Sequence, residues 1–252
     1  MSESHNERIE LPGLTAEEIQ SRVLYRDGLM LVIDKPAGLP VHRGPKGGAN
    51  LEASFDALRF GLPRPPVLAH RLDRDTSGCL VLGRHRKATA SLGLLFKHGR
   101  ISKSYWAVVE GGPIEDEGTI EMPLGRLNAE RGWWQKPDPE GQAAVTNWKV
   151  LGRGGGLSWL ALQPVTGRTH QLRVHAAAVG WPIVGDNIYG TQASLRRLRN
   201  EQFIPRFGEP SLHLHSREIG IPISKNKDAV RVIAPAPAHL HQRLQACGWN
   251  GE

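Results

Sequence analysis

Ten residues, AHRLDRDTSG at positions 69–78, gather His70, Arg71, Asp73, Arg74 and Asp75 just before the apolar run Cys79-Leu80-Val81-Leu82. A carboxylate flanked by arginines stays ionised, as a nucleophile requires, and a strand behind it gives a rigid mount. The same residues also suit a solvated turn, with Asp73 and Asp75 accepting backbone hydrogen bonds or pairing with Arg71 and Arg74. A second group, TGRTHQLR at 166–173, enters a helix. Exposed N–H groups at a helix start, joined by Arg168 and His170, make an anion site, and Arg173 follows about one helical turn beyond His170 on the same side. The alternative there is an ordinary capped helix with solvated arginines.

Three further groups carry weaker signals. Tyr105, within KSYW at 103–106, reads as a tyrosine of a half-buried strand. Trp133-Trp134 suits either stacking on bases or covering a sheet edge. His213 with His215, and His239 with His241, form His-x-His pairs, but no Cys or third ligand stands at a recognisable spacing, so hydrogen-bonded or surface histidines are expected rather than a metal site.

These side chains need elements to hold them. Residues 1 to about 20 read as a flexible lead-in. Apolar runs at 22–25 and 29–33 flank Asp27-Gly28, a hairpin signal, and the Gly/Pro-rich stretch 35–48 reads as a loop without a phosphate-loop pattern. Asn50 is expected to cap a helix with Leu51, Phe55 and Leu58 on one face. A second helix is expected over 86–97, with Ala88, Leu92, Leu95 and Phe96 inward and Gly99 as its stop. Another runs over 169–179, and an arginine-rich one over 192–202. Strands are expected at 105–109, 119–122, 144–151, 157–163 and 229–233, and a last short helix near 239–247. The order predicts an α+β fold, a single domain over 21–252 with a large mixed, mostly antiparallel sheet flanked by helices and loops.

The charge is unevenly spread. The chain has 252 residues, with 32 Lys+Arg against 25 Asp+Glu and a net charge of +7, which favours an anionic partner, nucleic acid first. Residues 59–87 hold seven basic side chains against two acids, and 168–206 hold six arginines against two acids, so these windows are candidates for one surface. Residues 113–140 reverse the sign, seven acids against three basic side chains, and are expected to lie away from a phosphate-bearing ligand. The two cysteines, Cys79 and Cys247, form no disulfide framework or zinc pattern, which suits a reducing cytoplasm. No run of about 18 apolar residues and no export signal occurs.

Together, LVIDKPAG at 31–38, HRLDRDTSG at 70–78, KSY at 103–105, GRTHQLRVH at 167–175, Gly185-Asp186 and Leu214-His215 resemble the RluA family of pseudouridine synthases, in family order across residues 22–235. The resemblance implies an enzyme that isomerises uridine in RNA on the pseudouridine synthase fold, without cofactor or metal. It assigns the essential carboxylate to Asp73 and leaves Asp75 as a turn residue serving local backbone donors. It matches Tyr105 to the tyrosine that stacks on the target uracil and assists proton removal from carbon-5, and Arg173 to the arginine paired with the aspartate. Arg71 matches the wedge that fills the gap left by a flipped base, and Arg74, Arg168, His170 and Gln171 are expected near the RNA. Whether the carboxylate attacks sugar or base, or abstracts a sugar proton, stays open.

Many relatives carry a small basic domain ahead of the catalytic region, whereas only about 20 residues precede the first strand here. A monomeric, single-domain enzyme is expected, choosing transfer or ribosomal RNA through a basic rim that includes Arg64, Arg196, Arg197 and Arg199. The competing readings are a non-catalytic RNA-binding or RNA-folding protein on the same fold, and an aspartate-dependent glycosidase or nuclease. The last lacks a second carboxylate at an acid/base position.

Overall fold

Two apolar runs, at residues 30–35 and 77–83, set the middle of a sheet. The structure, a computed structural model, describes residues 13–44, 47–128, 133–191, 211–223 and 228–251. Strand β1 (Val23–Arg26) returns antiparallel as β2 (Met30–Lys35), and the turn is closed by Asp27, whose Oδ1 accepts from the backbone N–H of Leu29 and Met30 at 2.7 and 2.8 Å. After β3 (Val67–Leu68), every residue of β4 (Ser77–Gly83) is buried, as a strand covered on both faces requires.

The remaining strands are β5 (Ser102–Glu110), β6 (Glu117–Glu121), β7 (Leu124–Arg126), β8 (Gln135–Pro137), β9 (Val145–Gly154), β10 (Leu157–Pro164), β11 (Leu214–Ile221) and β12 (Val230–Ile233). Among the described residues the main sheet has ten strands in the order β1-β2-β4-β11-β5-β10-β9-β6, with β12 on β11 and β3 on β4, while β7 and β8 form a separate ribbon. All pairings are antiparallel except β4 with β11, where Ser77 faces His215 and Gly78 faces Ser216. Gly78 is obligatory at that junction: its φ is 101°, and a Cβ there would collide with the Ser216 carbonyl. The mixed, mostly antiparallel α+β architecture is therefore as the sequence predicts.

Helix α2 (Arg86–Lys97) and helix α3 (Gln171–Ala178) fall inside their predicted ranges, and α4 (Ala238–Ala246) closes the described chain. Asn50 caps the next element as expected, accepting from Ala53 N–H at 3.1 Å, and Leu51, Phe55 and Leu58 are buried, but residues Leu51–Leu58 wind as a tighter 3₁₀ helix. The stretch read as a flexible lead-in contains a helix. Helix α1 (Ala16–Ser21) begins inside it because Thr15 and Glu18 form a reciprocal capping box, and Ile19 is fully buried in the core shared by β2, β4 and the 3₁₀ helix. The arginine-rich helix predicted at 192–202 lies outside the described residues, with Arg196, Arg197 and Arg199.

Two large apolar clusters lie along the sheet. One joins α1, β2, the 3₁₀ helix and β4, and the other joins β5, β10 and α3. Tyr105 packs against both. The seam between them is where the predicted site residues meet.

Candidate active site

The loop between β3 and β4 carries Asp73, and three anchors fix it. His70 accepts from Val81 N–H at 3.0 Å and stacks on Phe96 with ring centroids 4.2 Å apart; burial pulls its pKa down to about 3, so it is a neutral acceptor. Thr76 N–H donates to the Asp73 carbonyl at 3.2 Å, and Gly38 N–H to that of Arg74 at 3.0 Å. Beneath the loop, the fully buried Lys35 donates through Nζ to the carbonyls of Pro36, Arg74 and Thr76 at 2.8, 2.8 and 2.9 Å. Burial lowers the Lys35 pKa to about 7 against the opposing pull of Asp75, Asp73 and Asp34. Three carbonyls around Nζ use every hydrogen of an ammonium.

Of the two roles open to Asp75, pairing with an arginine is the one present. Its carboxylate takes Arg74 Nε at 3.0 Å and Nη2 at 3.4 Å instead of serving backbone donors. Arg74 remains half exposed in that pair, and Arg71 is exposed on the cleft wall.

From the facing cluster, α3 brings Arg173 and His170 to Asp73. Arg173 Nη1 lies 3.9 Å and His170 Nε2 3.8 Å from the same oxygen, Oδ2. The expected Arg173–Asp73 approach is thus present, yet the short bonds of Arg173 go elsewhere: Nε and Nη2 each reach Asp186 at 2.7 Å. Asp186 also accepts from Ile188 and Tyr189 N–H at 2.9 and 3.0 Å. Burial alone would raise the Asp186 pKa, but these four donors hold it below the ordinary carboxylate value. The carboxylate that neutralises Arg173 is therefore Asp186, which aims the third guanidinium nitrogen at Asp73.

His170 occupies a left-handed backbone position, φ 54°, at the start of α3. Its Nδ1 meets the Tyr189 hydroxyl at 2.8 Å, and that hydroxyl also accepts from Gln135 N–H at 2.9 Å. Burial lowers the His170 pKa while Asp73 pulls it up.

Gln171, expected near RNA, is 3% exposed and spends its amide internally. Oε1 accepts from Arg168 N–H and the Thr166 hydroxyl, and Nε2 donates to the Val145 carbonyl and Thr146 Oγ1, at 2.7–3.0 Å. It shapes the 166–170 loop from within the cleft lining. Arg168 stays exposed, with Nε bound to the Ala143 carbonyl at 3.0 Å.

Tyr105 reaches the same cleft from β5. The sheet register sets Tyr105 opposite Ser216 and Ser216 opposite Gly78, so the strand brings the phenol toward the start of β4. Burial raises its pKa above the ordinary tyrosine value, and the charge of Asp73 adds to this against a hydrogen bond from Ser216. The cleft has a volume of about 710 Å³ and is lined by Arg71, Asp73, Tyr105, Arg168, His170 and Arg173, a size that suits a nucleotide-sized guest.

The acidic stretch 113–140 comes closer to the site than its charge predicts. The β7–β8 ribbon packs by α3, and the exposed Trp133 stands edge-on to His170 with ring centroids 5.8 Å apart. His213 and His215, by contrast, are buried and locally satisfied. His213 donates to the Ser211 carbonyl and accepts from Arg243, while His215 contacts Ser77 Oγ at 2.8 Å and the Ala234 carbonyl at 3.3 Å.

Comparison with known proteins shows the family. A family model described as RNA pseudouridylate synthase matches residues 29–178. An uncharacterised RNA pseudouridine synthase of Zymomonas mobilis is 43% identical over 221 residues, covering 87% of this chain and 95% of that protein. Ribosomal large subunit pseudouridine synthase C of Vibrio cholerae is 32% identical over 230 residues, covering 90% of this chain and 69% of its own. Among solved structures, human RNA pseudouridylate synthase domain containing 4 superposes with a TM-score of 0.72 at 27% identity, over 90% of this chain and 94% of that one. With more than half the chain matched by the family and near-full-length similarity at 43% identity, this protein belongs to the RluA-type RNA pseudouridine synthases.

Proposed function

We infer that the chain converts uridine to pseudouridine in structured RNA, with Asp73 as the reacting carboxylate. The observation that carries this reading is the convergence of Arg173 and His170 on Oδ2 of Asp73 in a cleft that Tyr105 also lines. The Asp73 side chain is 29% exposed and lines the cleft, so a substrate can reach its carboxylate.

In the reaction the C1′–N1 bond breaks, the uracil turns, and a C1′–C5 bond forms; C5 loses a proton and N1 gains one. Electrons balance without a redox partner. Asp73 starts the exchange by attack on sugar or base, or by taking a sugar proton. Tyr105, with a phenol that burial keeps protonated near neutrality, is suited to stack on the uracil and to relay the C5 proton rather than to act as a free base.

Reaching a paired or stacked uridine requires flipping it, at a cost of about a few kcal/mol that phosphate contacts and a wedge offset. Arg71, exposed at the cleft wall, is the wedge. Arg168, which also lines the cleft, and Arg74, partly committed to Asp75, are assigned to phosphate contacts. The ribosomal name of the Vibrio relative makes large-subunit ribosomal RNA the first substrate to try and transfer RNA the second. The test is to map pseudouridine in both RNA classes from cells with and without this protein. A uridine modified only in its presence supports the reading, and identical maps contradict it.

A further inference from the structure

His170 is held in a way that a simple RNA contact does not require. It is a non-glycine residue at φ 54°, a left-handed conformation that side chains with a Cβ adopt at an energetic cost. Its side chain is 8% exposed. Both ring nitrogens have assigned neighbours: Tyr189 Oη at 2.8 Å from Nδ1 and Asp73 Oδ2 at 3.8 Å from Nε2.

The hydrogens on that path follow from the partners. Tyr189 Oη accepts the Gln135 N–H at 2.9 Å and has its own hydrogen to give to Nδ1 of His170. A neutral imidazole that accepts at Nδ1 carries its hydrogen on Nε2. A carboxylate, an acceptor on both oxygens, is the partner that an N–H should face. The Nε2–H tautomer therefore suits both ends of the ring.

We propose that Tyr189 locks His170 in the Nε2–H tautomer, so that His170 is a positioning residue for the Asp73 carboxylate and not an RNA contact. Together with Arg173 it brackets Oδ2 and orients Oδ1 toward the cleft. The left-handed backbone at residue 170, the N-cap of α3, is what lets one ring span Tyr189 and Asp73. The role assigned to the ring rests on Asp73 being the reacting group; the tautomer does not.

Two measurements test this. The first is a long-range ¹⁵N–¹H correlation spectrum of histidine-labelled protein near neutral pH, with His170 assigned by its loss in His170→Asn. The expected pattern is an unprotonated Nδ1 and a protonated Nε2, shifting toward a tautomer mixture in Tyr189→Phe. An Nδ1–H signal in the wild type overturns the proposal.

The second is the kcat and KM of His170→Asn and His170→Gln on RNA tritiated at uracil carbon-5. Asn tolerates the left-handed backbone but cannot reach the Nε2 position, so kcat should fall by about tenfold or more with KM within about twofold. Gln, whose longer amide can present an N–H there, should recover part of the rate. A raised KM with unchanged kcat, or no change in either, overturns the positioning role. If wild-type protein releases no tritium, the synthase reading fails, and the spectrum still decides the tautomer.

Discussion

Arg173 makes its two 2.7 Å bonds to Asp186 and stands 3.9 Å from Asp73. Both members of the close pair are nearly inaccessible, at 2% and 1% exposure, so removing one charge strands the other. Asp186→Asn should cost about 3–5 kcal/mol, measured by urea denaturation, and lower activity through loss of Arg173 alignment. Because burial is outweighed and the folded Asp186 pKa is depressed, its contribution is fully present above the unfolded value near 4. It is lost as pH falls through the lower folded value. Wild type and Asp186→Asn should therefore converge in stability only in strong acid.

Lys35 ties β2 to the Asp73 loop through three carbonyls. Lys35→Met leaves those acceptors without their donor and should destabilise the fold by at least about 2 kcal/mol, with a larger proportional loss of activity. The pH slope has the same sign as that of Asp186, stability rising with pH, but falls in a higher window. The Lys35 pKa is depressed to about 7 by burial, so the unfolded chain binds more protons between that value and the ordinary 10.5. Wild-type stability should rise relative to Lys35→Met across that interval, and parallel pH profiles of the two proteins would contradict this.

Trp133 is 58% exposed beside His170. An indole at the mouth of an RNA site is a stacking platform, worth about 1–3 kcal/mol per base. Trp133→Ala should raise KM by about fivefold or more with kcat little changed, and Trp133→Phe should restore most of it. An unchanged KM assigns Trp133 to covering the ribbon.

Binding should weaken steeply with salt as phosphate contacts release counterions. Arg71→Ala should slow base flipping, read by fluorescence of a base analogue next to the target, more than it reduces initial affinity. A salt-insensitive affinity contradicts the basic-surface reading.

Much of this was legible in sequence because it is local. Apolar runs and period-two alternation located most strands, Asp27-Gly28 the first hairpin, and Asn50 a helix start, but β11, which lies between β4 and β5, is not among the strands expected. The helix at 16–21 was also signalled, by Thr15 three residues before Glu18, but a short polar helix is stable only through Ile19 and its distant packing partners. Lys35 reads in sequence as the first residue of a loop, since two of the carbonyls that hold it at the end of β2 come from residues 74 and 76, far along the chain. Arg173 and Asp73 were both visible, whereas the preference of Arg173 for Asp186 depends on how α3 meets the 184–190 turn. Gln171 carried no mark separating a buried loop brace from an RNA contact. The acidic sign of 113–140 misled because the side chain that reaches the site from that stretch is a tryptophan.

The most direct measurement is tritium release from carbon-5-labelled RNA of cells lacking this protein, comparing wild type, Asp73→Asn and Asp75→Asn at saturating enzyme. Release by wild type and Asp75→Asn, with none by Asp73→Asn despite retained RNA binding, is the expected result. Equal release by Asp73→Asn and wild type would contradict the assignment of Asp73 as the reacting carboxylate.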